Sequence, residues 1–183
     1  LTMEIHYINK MCSAIGIPQM FLKEFPFDAS CQNERPSDFH VLLMPTEKKY
    51  YDFVITLEKM ITSNLNINTF LTPACLITPV EREDCNGKIK GSLTLLAEWF
   101  TQNVRFANID DDIKLPLREL IKERQTPAHK IIVNKYDKTY WKKQNEFMQR
   151  VYIAVRNIRL LLANHPLCTD VIIVIPFSYC SSV

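Results

Sequence analysis

Tyr140-Trp-Lys-Lys-Gln-Asn-Glu-Phe-Met-Gln-Arg-Val-Tyr-Ile-Ala-Val-Arg-Asn-Ile-Arg-Leu-Leu-Leu-Ala-Asn164, closed by Pro166 and followed by Val171-Ile-Ile-Val-Ile175, is the stretch on which the fold reading turns. Phe147, Val151, Ala154, Val155, Ile158, Leu161 and Leu162 recur at helical spacing and form one apolar stripe. Lys142, Lys143, Gln149, Arg156 and Arg159 lie elsewhere on the same helix. The apolar run after Pro166 has the unbroken character of a central parallel strand. A helix followed by such a strand is a unit of an α/β protein.

The rest of the chain is read outward from there. Phe39-His-Val-Leu-Leu-Met-Pro45 is a short apolar run stopped by proline, which predicts a buried strand. Phe70 to Val80 is again strand-like, with Pro73 and Pro79 in it, and Val104 to Ile109 and Ile131-Ile-Val133 are shorter strand candidates. Helices are predicted over Tyr51 to Asn64, from Phe53, Val54, Leu57, Met60 and Ile61, and over Arg118 to Arg124, after a proline. Leu1 to Phe25 has helical spacing, with a break expected at Gly16 and Pro18. Phe27 to Asp38 reads as a loop, and Gly91 to Phe100 fits a strand or a helix equally. Asn86-Gly87, inside the polar stretch 81–91, is a strong hairpin signal. The expectation is a single domain over residues 1–183: an α/β fold, a central mostly parallel twisted sheet flanked by helices, with a lid-like β-hairpin.

Composition bounds the function classes. The chain has 183 residues, enough to bury a core without staples. Its 22 Lys+Arg against 20 Asp+Glu give a net charge of +2, too balanced for a general nucleic-acid binder. The six cysteines, Cys12, Cys31, Cys75, Cys85, Cys168 and Cys180, show neither CxxC pairs nor zinc-finger spacing to a histidine. They read as free thiols of a cytoplasmic protein, with Cys75 and Cys180 as small buried hydrophobes beside apolar runs. No apolar stretch approaches the length that spans a bilayer. A start at Leu1 rather than Met reads as the start of an excised domain, so any membrane segment or effector would lie outside this chain.

Catalytic motifs are scarce. His6, His40, His129 and His165 are widely separated, no HExxH or GxSxG occurs, and three glycines form neither GxGxxG nor a Walker loop. No metal and no cofactor are expected. Asp110-Asp111-Asp112 either binds a divalent ion or a base amino edge, or is a solvated turn capping the next helix. Arg82, Lys88 and Lys90 sit near the Asn-Gly turn, where a mobile basic hairpin can close over a phosphate, although an ordinary surface hairpin looks the same. Tyr50-Tyr51 and Tyr140-Trp141 either stack a base or close helix ends as core residues.

Trp141 to Pro166 followed by Val171 to Ile175 resembles the closing helix and strand of the STING family, receptors for cyclic dinucleotides. Upstream, Phe39 to Pro45 resembles the family's first strand, Arg82 to Lys90 its lid hairpin, and Asp112-Ile-Lys-Leu-Pro-Leu117 its ligand loop. Ala14-Ile-Gly-Ile17 is similar to the stretch at its dimer seam, so the resemblance makes residues 1–26 a dimer-seam helix. Three positions depart from the pattern: Ile17 stands for a stacking aromatic, Leu115 for the loop threonine and Lys90 for the lid arginine. Thr126 to Asp137 is an insertion. The resemblance implies a receptor rather than an enzyme, a homodimer that forms higher oligomers on activation, signalling in innate or antiphage defence. It would bind no nucleic-acid polymer and touch a membrane only through a segment outside this chain. Its ligand residues would be Gly16, Ile17, Met20, Arg82, Lys88, Lys90, Asp111, Asp112 and Leu115. Two rivals remain: a nucleotide-acting α/β enzyme built on Asp110 to Asp112, and an interaction scaffold without a small ligand, docking through exposed apolar residues near the first helix.

Overall fold

The computed structural model describes residues 1–26, 36–105, 108–126, 135–171 and 173. Six α-helices are formed among them: α1 Thr2–Ile15, α2 Glu47–Ile61, α3 Asn68–Leu71, α4 Ser92–Asn103, α5 Leu115–Gln125 and α6 Thr139–Ala163. A π-helical turn, Asp110–Lys114, leads into α5, and a 3-10 turn, Pro166–Cys168, follows α6.

α6 carries the core. Its predicted stripe is buried at every position, and α1 lies along it through Ile5, Ile8, Met11, Cys12 and Ile15. Each fully buried side chain of this kind contributes about 1.5–3 kcal/mol of transfer free energy. Arg159, which the stripe leaves aside, is buried too, because its guanidinium meets Glu4 of α1. α1 ends where the sequence breaks: Gly16 takes a left-handed φ of 87°, and its N–H returns to the carbonyls of Cys12 and Ser13. α2 starts at Thr46, whose hydroxyl accepts from the Lys49 N–H, and packs on α5. The π-helical turn rests on α4, α5 and α6.

The predicted parallel sheet is overturned. The described residues are mostly helical and form no sheet; their β-type pairing is limited to isolated antiparallel bridges. The physical reason is visible at Phe39 to Pro45. An apolar run this short does not distinguish a strand from any other segment with a buried residue. Of its interior residues only Leu42 is buried, beside the closing Pro45, whereas Val41, Leu43 and Met44 are 69%, 86% and 69% exposed. Leu42 donates to Gln144 Oε1 and accepts from the Trp141 indole, while the Gln144 amide donates to His40 O. Side chains of α6 thus occupy backbone groups that a neighbouring strand would otherwise take.

Phe70 to Val80 is likewise no strand: Phe70 belongs to α3, and residues 74–77 close a tight turn between two prolines that cannot donate. Gly91 to Phe100 resolves as helix, with Gly91 as its extended cap and Leu95, Leu96, Trp99 and Phe100 on the buried face. Val104 ends α4, and Ile109 leads into the π-helical turn. Residues 131–133, 172 and 174–175 lie outside the described residues, while Val171 and Ile173 pack partly buried against the core. The hairpin is present in minimal form, with one bridge, Glu83 to Ile89, around Asn86-Gly87. Gly87 has φ 75°, which this turn requires.

Two further expectations change. Cys75 is exposed, and the buried thiols are Cys12 and Cys168; Cys31 and Cys180 lie outside the described residues. The aspartates do not cap α5 through their side chains; Asp110 pairs instead with Lys114 at 2.8 Å. No described helix is long and apolar enough to cross a membrane.

Candidate functional site

After α1 the chain runs back as an extended segment held from two sides. Asn9, 1% exposed, donates to Phe21 O and accepts from Phe21 N, taking both polar groups of that peptide position. On the other side Asn64 does the same for Lys23, at 2.8 Å each way. Asn66 donates its backbone N–H to Met20 O and its amide to Gln19 O. Three asparagines, one on α1 and two in the connection after α2, therefore fix residues 19–23 against residues 64–66. This suits asparagine, whose amide both donates and accepts as a peptide does.

This frame opens a cleft of about 420 Å³. Leu22, Leu65, Ile67 and Leu71 supply its apolar surface, and Asn66 and Asn68 bring amides. Arg82 closes it, placed there because Val80 donates to Phe70 O and leads the chain across α3. The guanidinium Nη1 of Arg82 is buried and has no hydrogen-bond partner among the described residues. A buried cationic donor left unpaired is costly, and such groups are normally matched by an acceptor. The planar fork of arginine fits a carboxylate or a phosphate.

The predicted site residues divide around this cleft. Arg82 lines it. Met20 lies under it, its carbonyl bound to Asn66, with its side chain fully buried. Ile17 is 4% exposed and belongs to the core, so neither presents a wall to a ligand. Gly16 is exposed and acts as the cap of α1. Lys88 is exposed near the hairpin tip, its backbone N–H on Asp84. Lys90 is bound to Glu98 at 2.7 Å, which leaves Arg82 as the cation of the cleft. Asp111, Asp112 and Leu115 sit at the π-helical turn and do not line the cleft. Among the described residues no group of three or more His, Cys, Asp or Glu is placed to hold a metal ion.

Asn9, Asn64 and Asn66 escaped sequence reasoning. Isolated asparagines carry no motif, and their pairing across α1 and the end of α2 appears only in three dimensions. Comparison of the chain with protein-family models, curated proteins and solved structures finds no match in any of the three.

Proposed function

We propose that this chain is the binding domain of a cytoplasmic receptor for a phosphate-bearing nucleotide, with a cyclic dinucleotide as the ligand to test first. The observation that carries the reading is Arg82, the cation that lines a cleft with apolar walls and asparagine amides. An anionic oxygen pairs with the guanidinium of Arg82, the apolar side chains shelter a base, and the amides read its polar edge. A twofold-symmetric ligand with two phosphates engages one such cleft from each of two chains, which is how this reading makes the protein dimeric.

The test is a thermal-shift screen of the chain against cyclic di-GMP, cyclic di-AMP, mixed cyclic dinucleotides and linear controls, with reaction mixtures checked for turnover. A ligand at 100-fold excess over Kd stabilises the fold by about 2.7 kcal/mol. The reading expects a shift with at least one cyclic compound, without turnover, that Arg82→Ala abolishes. Absence of a shift with all of them, or a shift indifferent to Arg82→Ala, overturns it.

A second reading, an interaction domain without a small ligand, draws on the exposure of Val41, Leu43 and Met44. Contiguous exposed apolar side chains mark protein contact surfaces. They lie opposite α6 rather than beside α1, where the sequence placed such a surface.

A further inference from the structure

Between Phe39 and Pro45 the usual order of a surface loop is inverted: apolar side chains face solvent and polar backbone groups are taken by the protein. Leu42 belongs to the core, while Val41 and Leu43 on either side of it are exposed. A bend at Leu43 and Met44 brings Met44 out as well. Underneath, Gln144 takes His40 O and Leu42 N, and the Trp141 indole donates to Leu42 O. The His40 ring nitrogen lies 2.9 Å from Val41 O, and Pro45 O accepts from the Asp137 N–H at 2.9 Å. Hydrocarbon offers no hydrogen-bond partner, so a segment that enters it needs backbone groups already paired within the protein.

The surroundings have a matching character. Trp141 is exposed, and its bond to Leu42 O sets the indole against the run. Tyr136, also exposed, lies on the segment that bridges to Thr46. Tryptophan and tyrosine are the residues that gather where a membrane meets water. Leu43 and Met44 line one concavity with Lys48 and Lys49, so cations stand directly beside the apolar tip. Over residues 36–52 and 135–146 the exposed charges are Lys48, Lys49, Lys135, Lys138, Lys142 and Lys143 against Asp137 and Glu146. Asp137 accepts from the Thr139 N–H at 2.9 Å, and Glu146 lies 3.8 Å from Lys142.

We infer that this end of the molecule docks on an anionic lipid bilayer: Val41, Leu43 and Met44 enter the headgroup region, and the surrounding lysines hold the acidic headgroups. The lysines favour lipid over protein. Lysine is depleted at protein–protein interfaces, whereas beside an anionic leaflet each one adds attraction. Three apolar side chains or a few lysines anchor weakly when either acts alone, so docking needs both. The surface shares no residue with the Arg82 cleft and does not depend on what that cleft binds.

Flotation of the chain tests this, with vesicles of phosphatidylcholine alone and of phosphatidylcholine mixed equally with phosphatidylserine. The chain is expected to float with the mixed vesicles only, and less as salt is raised. Leu43→Ser with Met44→Ser, and separately Lys48→Ala with Lys49→Ala, are each expected to weaken binding at least about tenfold. All four positions are exposed, so folding is not at stake. Phosphatidylcholine brominated on its acyl chains, mixed with phosphatidylserine, is expected to quench part of the tryptophan emission. Trp141→Phe is expected to remove that quenching, because Trp99 is buried. Absence of flotation, equal flotation with both vesicles, unquenched emission, or flotation unchanged in the Leu43→Ser, Met44→Ser variant overturns the inference. Self-association without flotation, lost in that variant, gives the surface to a second copy of the chain instead.

Discussion

Glu4 and Arg159 lie 155 residues apart in sequence and meet inside the molecule, with side chains 5% and 7% exposed. The phenol of Tyr152 also donates to Glu4, at 3.4 Å. Two opposite charges in the interface of α1 and α6 hold each other in a place where neither is tolerated alone. Removing one leaves the other buried and uncompensated, at a cost of about 3–5 kcal/mol. Glu4→Gln and Arg159→Met are each expected to lower the urea midpoint strongly. The double substitution Glu4→Leu with Arg159→Met is expected to recover most of the loss, because the interface then closes as hydrocarbon. A double variant no better than the worse single one would refute this account of the pair.

Arg82 predicts an opposition between stability and binding. Replacing it with leucine removes the unpaired buried donor and extends the apolar surface of Leu22, Leu65 and Leu71. The variant is expected to unfold at higher urea, by about 1 kcal/mol, while losing the anion response. Chemical denaturation with and without a cyclic dinucleotide separates the two effects.

Alkaline pH acts through Cys12 and Tyr50. Burial pushes the Cys12 thiol up to about 12 from its ordinary 9.0. Burial first, and then the Glu123 carboxylate, raises the Tyr50 phenol above 10.0. Both groups hold their protons more tightly folded than unfolded. Their contribution is therefore intact below pH 9 and declines above it, by about 1.4 kcal/mol per pH unit for each group while only its unfolded form ionises. Unfolding free energy measured from pH 7 to 11 is expected to be level and then to fall, with a shallower fall in Cys12→Ala. Peptide mapping after brief alkylation at pH 8 provides a companion measurement: Cys75 and Cys85 are expected to react ahead of Cys12 and Cys168.

Gln144 predicts a local effect. Its amide serves both Leu42 N and His40 O. Gln144→Ala leaves those backbone groups without their partner and is expected to cost about 2 kcal/mol. Hydrogen exchange at the Leu42 amide is expected to accelerate well beyond that of its neighbours in α2. Unchanged exchange at Leu42 would show that another group replaces the glutamine.

What the sequence showed of this molecule follows from where the information resides. The stripe of α6, the helical residues of α2 and the break at Gly16 are local patterns with the period of a helix, and they were legible. Phe39 to Pro45 was not. Apolar side chains predict burial, and what settles its conformation is Gln144, about a hundred residues away. The same holds for the cleft. Arg82 was singled out for its charge, which is visible in a sequence, and the structure places it at the opening. Ile17 and Met20 were chosen as a ligand wall for being apolar, and apolar residues are what a core also takes.

The polar attachments along α6 have a mechanical consequence. Gln144 engages one side of the molecule, and Tyr152 and Arg159 engage α1. Gln144 and Arg159 are separated by roughly 22 Å of helix, and each residue turns the rod by about 100°. The rod is thereby keyed like a shaft pinned at both ends: its angle about its own axis is fixed twice. One residue inserted between Gln144 and Arg159 rotates one pin away from its socket whichever end stays seated, whereas one inserted just after Asn164 turns neither. Single-residue insertions along this segment should therefore be tolerated or rejected according to which side of Arg159 they fall on.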